Sequence, residues 1–364
     1  MPTVAVDATP LLGRRTGIGS TVATLLGEIS GRPGLELVGF ALSRRGGRSL
    51  PGLLPEGVAA ARPRPLPARP LLAMWGRVDL PPAEWWTGAV DVVHGTNYVL
   101  PPSRRAAAVV TVNDLFALHH PEQCPPAARR YPGLVRRAAS SGAHVHVPSG
   151  HVAGEVVDRL AVPAERVHVI PWGVRPAPPA ARPATGPRYV LALGTAEPRK
   201  DLPTLVRAFD RVAESHPDLR LRLVGPVGWG ERQLAGAVAA ARHRDRVDRV
   251  GWVQDPAAEL AGAAVLAYPS LDEGFGLPPL EAMAAGVPVV AAAAGAIPEV
   301  VGGAALLVPP RRPSALAEAL VAVLDDTATS DRLVSGGLRQ AARYPWSACA
   351  DAVVDLYRRL AVSA

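Results

Sequence analysis

The stretch Glu273-Gly-Phe-Gly-Leu-Pro-Pro-Leu-Glu281 decides how this chain is read. It lies between an apolar run at 263–269, with the composition of a buried strand, and an Ala-rich helix start at 280–285. Pro278 and Pro279 suit a first helical turn, where a missing N–H costs nothing. The amides of Phe275, Gly276 and Leu277 then lie just before a helix N-terminus, where backbone donors and the dipole favour an anion. Gly274 and Gly276 let that backbone come close to a ligand. Glu273 falls in the loop at the strand's carboxyl end and Glu281 on the first turn of the helix. Two hydrogen-bond acceptors flanking a phosphate cradle suit a ligand with hydroxyls on both sides of a phosphate, as in a nucleotide sugar. The plainer alternative gives Glu281 to the helix dipole and leaves Glu273 as a solvated loop charge.

A second signal stands upstream. Of 39 Lys and Arg residues only Lys200 is lysine. It falls in Leu193-Gly194-Thr195-Ala196-Glu197-Pro198-Arg199-Lys200-Asp201, a turn from an apolar strand at 189–193 into a helix that Asp201 can cap. An ammonium is a compact point charge with three rotatable donors, whereas Arg presents a rigid planar fork. A site shaped around phosphate tells them apart. The alternative is a lysine that survives by chance.

Around these two segments, apolar runs alternate with amphipathic ones, the pattern of parallel α/β sheets. In the first half the strand candidates are 4–7, 35–41, 90–94, 109–113, 144–147 and 167–170, with helices at 18–29, 127–139 and 149–160. The proline-rich segment 175–187 reads as an extended linker. A second series follows at 189–193, 221–224, 247–250, 263–268, 287–292 and 305–308. The expected fold class is therefore α/β with two doubly wound Rossmann-like domains.

Bulk properties narrow the classes. A chain of 364 residues fits two domains, and 48% hydrophobic content supports packed cores. Cys124 and Cys349 are too few for a disulfide framework, in keeping with a reducing cytosol. The N-terminus lacks a signal-like segment, and the uncharged run 282–298 is broken by Gly286, Pro288 and Gly295, unlike a membrane span. A cytoplasmic location is expected. The net charge of +7 does not point to nucleic acid, because aromatics make up only 5% and no nucleic-acid module is present. An anionic membrane surface is the better match for basic clusters, with peripheral contact at the inner face. One cluster is 62–77, where Arg62, Arg64, Arg69 and Arg77 surround Leu71, Leu72, Met74 and Trp75. Arg129, Arg130, Arg136 and Arg137 form another; solvated helix faces are the alternative for both. The His and Cys spacings do not match a zinc site.

The 273–281 pattern closely resembles the Glu-x7-Glu signature of the family 4 retaining glycosyltransferases, in the variant EGFGLPPLEAM, and 194–201 resembles that family's G-x-x-E-P-R-K-N stretch. The resemblance covers nearly the whole chain. It implies the GT-B architecture: domains at 1–175 and 188–345 facing a cleft, a linker at 176–187, and a last helix at 346–364 packing back on the first domain. It gives Glu273 to donor-sugar hydroxyls, the amides of Phe275, Gly276 and Leu277 to sugar and phosphate, Glu281 to ribose, and Arg199 and Lys200 to the diphosphate beside Gly194 and Gly274. Gly13-Arg-Arg-Thr-Gly17-Ile-Gly19 resembles the family's TGIG loop, which faces the donor phosphates. An acidic residue of the dinucleotide fingerprint does not follow it, so NAD is not favoured.

Two departures stand out. Ser20-Thr21 replaces the usual R-Y, and Asn113 stands where the family has a His that contacts the donor sugar. Asn donates and accepts hydrogen bonds but carries no charge at neutral pH. His94, His119 and His120 are the nearby imidazoles. The loops 225–230 and 251–254, with Trp229 and Trp252, are positioned to enclose the base, although both Trp also suit a core or cover role. The resemblance implies retaining transfer of a hexosyl group, mannosyl favoured, from a nucleoside-diphosphate sugar to a glycan or lipid-linked acceptor of the cell envelope, with no metal or other cofactor. Three rivals remain at this stage: a glycosidase using Glu273 and Glu281, a GT-B epimerase, and a non-catalytic nucleotide-sugar or lipid-binding protein.

Overall fold

A computed structural model describes residues 1–13, 17–43, 46–64, 68–176 and 188–363. The chain divides into two units, Met1–Gly173 with Trp346–Ala364, and Val174–Pro345. In the first, β1 (Thr3–Asp7), β2 (Glu36–Phe40), β3 (Val58–Ala60), β4 (Val92–Gly95), β5 (Ala107–Thr111), β6 (His144–Val147) and β7 (Val167–Val169) form one sheet in the order 3-2-1-4-5-6-7. In the second, β8 (Tyr189–Leu193), β9 (Arg220–Val224), β10 (Val247–Gly251), β11 (Val265–Tyr268), β12 (Val289–Ala292) and β13 (Leu306–Val308) run in the order 10-9-8-11-12-13. The recorded strand pairings are parallel. Central strands such as β4, β11 and β12 are buried on both faces, which is why they lack the alternation of a half-exposed sheet. Each unit is a doubly wound Rossmann-like sheet. Strand β3, absent from the sequence reading, is a three-residue edge with Ala59 and Ala60 exposed, too short to leave an apolar signature.

In a doubly wound sheet, ligands bind outside the carboxyl ends of the strands where the order reverses. Those points are β1/β4 in the first unit and β8/β11 in the second. The core of the second unit packs Leu205, Phe209 and Val212 of helix Leu202–Ser215 with Val190, Leu221, Val265 and Leu320. That packing fixes the frame on which the β8 and β11 loops stand. The unit boundary falls at 173/174 instead of 175, because the Val174 N–H donates to Tyr344 O at 2.7 Å and Val174 bridges to Pro345. Residues 177–187 of the expected linker lie outside the described ones.

Helix Trp346–Ser363 does return to the first unit, and a buried polar chain shows how. The Tyr357 hydroxyl is 2.6 Å from His94 Nδ1, and His94 Nε2 is 2.8 Å from Thr111 Oγ1. Thr111 Oγ1 is 2.9 Å from His146 Nδ1, and His146 Nε2 is 2.9 Å from the Ile170 carbonyl. A carbonyl only accepts, so His146 carries its proton on Nε2 and its Nδ1 accepts from Thr111. The Thr111 hydroxyl then accepts from His94 Nε2–H, and His94 Nδ1 accepts from Tyr357. One set of neutral tautomers satisfies every link. Burial lowers both imidazoles, His94 to about 3 and His146 to about 4.

Histidines held neutral in the fold but titrating near 6.5 when unfolded remove stability as pH falls below 6.5, at about 1.4 kcal/mol per pH unit each. Asp7, raised by burial to about 6 against the hydrogen bonds from Thr9, works in the opposite sense between pH 6 and 3.8. These three groups leave a net slope of about one proton over that range. Asp7→Asn is therefore expected to steepen the loss of stability between pH 6 and 5 toward two protons. Urea unfolding at stepped pH measures it, and equal slopes in wild type and variant would refute the assignment.

Candidate active site at the ends of β8 and β11

Residues 194–201 leave β8, and 269–276 leave β11, its neighbour at the switch point. Two hydrogen bonds tie the loops together: the Leu271 N–H donates to Arg199 O at 2.8 Å, and the Arg199 guanidinium Nη1 donates to Asp272 O at 2.9 Å. Pro198–Lys200 form a single 3-10 turn that aims both basic side chains at the β11 loop. Glu273 meets them. Its Oε2 is 2.6 Å from Arg199 NH1 and its Oε1 is 2.7 Å from Lys200 Nζ, while the Lys200 ammonium also donates to the Tyr268 hydroxyl at 2.8 Å. Glu197 stands 3.6 Å from Arg199.

Glu273 is only 7% exposed. Burial alone would raise its carboxyl, but the Arg199 and Lys200 charges outweigh burial and hold it at about 2. Lys200 is lowered, burial and Arg199 acting against the stabilising Glu273 charge. A carboxyl held at about 2 is ionised at neutral pH and so does not serve as a general acid. The plainer alternative, a solvated loop charge, is corrected, since Glu273 is buried and paired with both cations.

The peptide of Glu273 is fixed from behind. The Ala296 N–H donates to Glu273 O at 2.7 Å, and a Cβ on Gly295 would lie 2.4 Å from that same oxygen. In the sequence Gly295 was legible only as a break in the uncharged run 282–298. Its close approach comes from the loop after β12, and the contact of Tyr268, at the end of β11, with Lys200 likewise joins residues that are not neighbours in sequence. Gly276 adopts φ +109 and takes the N-cap of helix Leu277–Ala284. The helix begins earlier than expected, so Glu281 is its fifth residue, beyond the first turn; the residue is exposed, yet the protein around its carboxyl raises it from the ordinary range. Phe275 buries its ring edge-on against Tyr344, with centroids 5.6 Å apart, so its backbone amide is the part that suits a ligand. Gly274 is buried beside it, and Gly194 (φ +142) follows β8 with the Lys200 Cε 3.2 Å from where a Cβ would stand. Asp201 occupies the N-cap of the following helix at φ +43, without the side-chain capping bond expected of it.

In the first unit, Gly17 and Gly19 are the first and third residues of helix Gly17–Ser30, within the turn whose N–H groups lack helical acceptors. Arg14, Arg15 and Thr16 of that loop lie outside the described residues. Asn113, 8% exposed, follows β5; its Nδ2 donates to Asn97 Oδ1 at 3.2 Å, and its Oδ1 accepts from Trp172 Nε1 at 3.2 Å. Trp172 in turn lies edge-on to His146 at 4.8 Å. His94 is part of the buried chain, and His119 pairs with Glu155 at 2.5 Å, so both are engaged elsewhere.

Trp229 and Trp252 are 49% and 43% exposed, which corrects the core reading. The apolar residues of 62–77 do the reverse: Leu71 and Trp75 are buried in the first unit's core, and Arg64 donates to Trp85 O. The side chain of Arg69 lies outside the described residues. Arg129, Arg136 and Arg137 hydrogen-bond to Cys124 O, Arg159 O and Asp79. Among the described residues no helix is long and apolar enough to cross a membrane.

The model of Glycosyltransferase Family 4 matches residues 16–178, and that of Glycosyl transferases group 1 matches 187–326. The O-antigen chain mannosyltransferase B of Escherichia coli is 30% identical over 284 residues, covering 74% of each chain. The chain belongs to the family 4 glycosyltransferases. It is a transferase with the GT-B fold. Among solved structures, the sucrose-phosphate synthase of Thermosynechococcus elongatus superimposes with a TM-score of 0.77 at 21% identity over all of both chains. HepE of Anabaena, solved with UDP-glucose, gives 0.71 at 18% identity, covering 100% of this chain and 99% of its own.

The pair Arg199–Lys200 tests the site directly. Lys200 Nζ is hemmed between Tyr268 and Glu273, and a planar guanidinium is too bulky to take its place without displacing one of them. Lys200→Arg is expected to lose turnover on the order of 10²-fold, by analogy with a lost oxyanion donor. Initial rates at matched melting temperature measure this. A folded Arg variant within about a factor of two of wild type would return Lys200 to a residue kept by chance.

Proposed function

We propose that the protein is a retaining glycosyltransferase that moves a hexosyl group, mannosyl first among candidates, from a nucleoside-diphosphate sugar to a hydroxyl of a glycan or lipid-linked acceptor. The observation that carries this reading is the convergence of Arg199, Lys200 and Glu273 beside the Gly276 helix N-terminus at a switch point. Two cations and a row of helix-end amides suit a diphosphate leaving group. A buried carboxylate within the same cluster suits neutral sugar hydroxyls, which can donate to it. The mannosyl preference draws on the Escherichia coli relative, whose name states a mannosyltransferase. HepE, solved with UDP-glucose, supports a nucleotide-sugar donor without settling the base.

In the proposed reaction the bond from the anomeric carbon to the diphosphate oxygen breaks, and a bond to the acceptor oxygen forms on the same face. The acceptor's proton passes to the departing phosphate oxygen. Arg199, Lys200 and the 274–277 amides stabilise the charge that builds on the leaving group, the role that a metal plays elsewhere. Asn113 takes the place of the family's histidine as a neutral amide, held by Trp172 and Asn97. Glu281 is assigned to the ribose, and the exposed Trp229 and Trp252 to the base.

Transfer from a panel of GDP- and UDP-sugars tests the reading. The expected product keeps the donor's anomeric configuration, and the rate is unchanged by saturating chelator. An inverted product by NMR, or strict dependence on a divalent cation, would overturn it; epimerised donor in the absence of acceptor would favour an epimerase.

A further inference from the structure

Arg199 and Lys200 already have an anionic partner inside the protein. Glu273 gives one carboxylate oxygen to each, at 2.6 and 2.7 Å, and Glu197 adds a second anion 3.6 Å from Arg199. Two cations and two carboxylates bring the formal charge of this cluster to zero. Tyr268 OH and Asp272 O accept further hydrogen bonds from the cations, so their positions are set independently of any ligand.

We infer that Glu273 is a specificity-determining residue that makes the Arg199–Lys200 pair favour a sugar-linked diphosphate over one with a free terminal phosphate. The inference rests on the reading of that pair as the diphosphate site. A sugar-linked diphosphate ends in an ester and has no second ionisable oxygen on its outer phosphate. The free nucleoside diphosphate left after transfer, like inorganic pyrophosphate, has one, and at neutral pH it carries close to one additional charge. Both kinds of ligand meet the same two cations. Only the free one brings its extra charge against a fixed, nearly buried carboxylate, where solvent screens poorly. The sugar replaces that charge with hydroxyls, which donate to a carboxylate. Glu273 thus weakens the hold on the product more than the hold on the donor, whose sugar hydroxyls donate to it. A site of bare cations would do the opposite, binding the more highly charged product more tightly and delaying its release.

Calorimetric titration with inorganic pyrophosphate, which carries no base or sugar, isolates this effect in the full chain. Glu273→Gln is expected to bind pyrophosphate at least about tenfold more tightly than wild type, equal to ~1.4 kcal/mol. Glu197→Gln, which removes the more distant and more accessible anion, is expected to shift affinity the same way by less. Lys200→Ala should lose the binding. A folded Glu273→Gln protein with unchanged or weaker pyrophosphate affinity overturns the inference and leaves Glu273 as an organiser of the two cations. If that variant does not fold, Glu197→Gln decides: unchanged or weaker binding there overturns it too. Identical binding in wild type and Lys200→Ala would instead remove the underlying phosphate reading.

Discussion

One carboxylate, Glu273, holds the second unit's switch point together. Burying charge is costly unless each ion is paired and its remaining donors are satisfied. Here a single carboxylate bridges a guanidinium and an ammonium, and Tyr268 and Asp272 accept from the donors it leaves over. The bridge links the loop after β8 to the loop after β11, so it also fixes their spacing. Three backbone features make it possible: the Leu271–Arg199 hydrogen bond, the Ala296–Glu273 hydrogen bond, and the missing side chain at Gly295. Glu273 is therefore tied to the sheet through its main chain and to the cations through its side chain.

The first unit solves a different problem with neutral groups. Its sheet is crossed by a hydrogen-bonded chain from Tyr357 through His94, Thr111 and His146 to Ile170 O, anchoring the C-terminal helix without a buried charge. Trp172 packs on the end of that chain and donates to Asn113. The amide of Asn113 is thereby oriented from two sides, with one N–H given to Asn97. A residue that departs from the family pattern is built into a polar network, with its carbonyl and one amide proton both used. A neutral amide suits this setting, because its neighbours supply one donor and one acceptor and no charge.

Much of this was legible in the sequence, for reasons that differ by element. Strands such as Tyr189–Leu193 and His144–Val147 were placed to the residue because parallel strands covered by helices leave uninterrupted apolar runs. The loop after β11 was legible because glycines and prolines set local conformation: Gly276 at φ +109 and the prolines after Leu277 mark a helix start. The lone lysine stood out because an otherwise Arg-only chain has no charge-related reason to use it.

What only the tertiary structure decided is which charges meet. Spacing along the chain placed Glu273 and Lys200 at the ends of two strands, but 73 residues separate them, and their contact depends on β8 and β11 being neighbours. Sequence therefore assigned the carboxylate to a ligand, whereas the fold gives it first to two cations. The same holds for Trp229 and Trp252, for which sequence left a base-facing and a core or cover role open and which the fold leaves exposed, and for Trp75, read with a basic surface cluster and buried by the fold. Local conformation is fixed by short-range sterics and hydrogen bonding, which a sequence displays. Pairing and burial are fixed by strand order and packing, which bring together residues that the sequence keeps far apart.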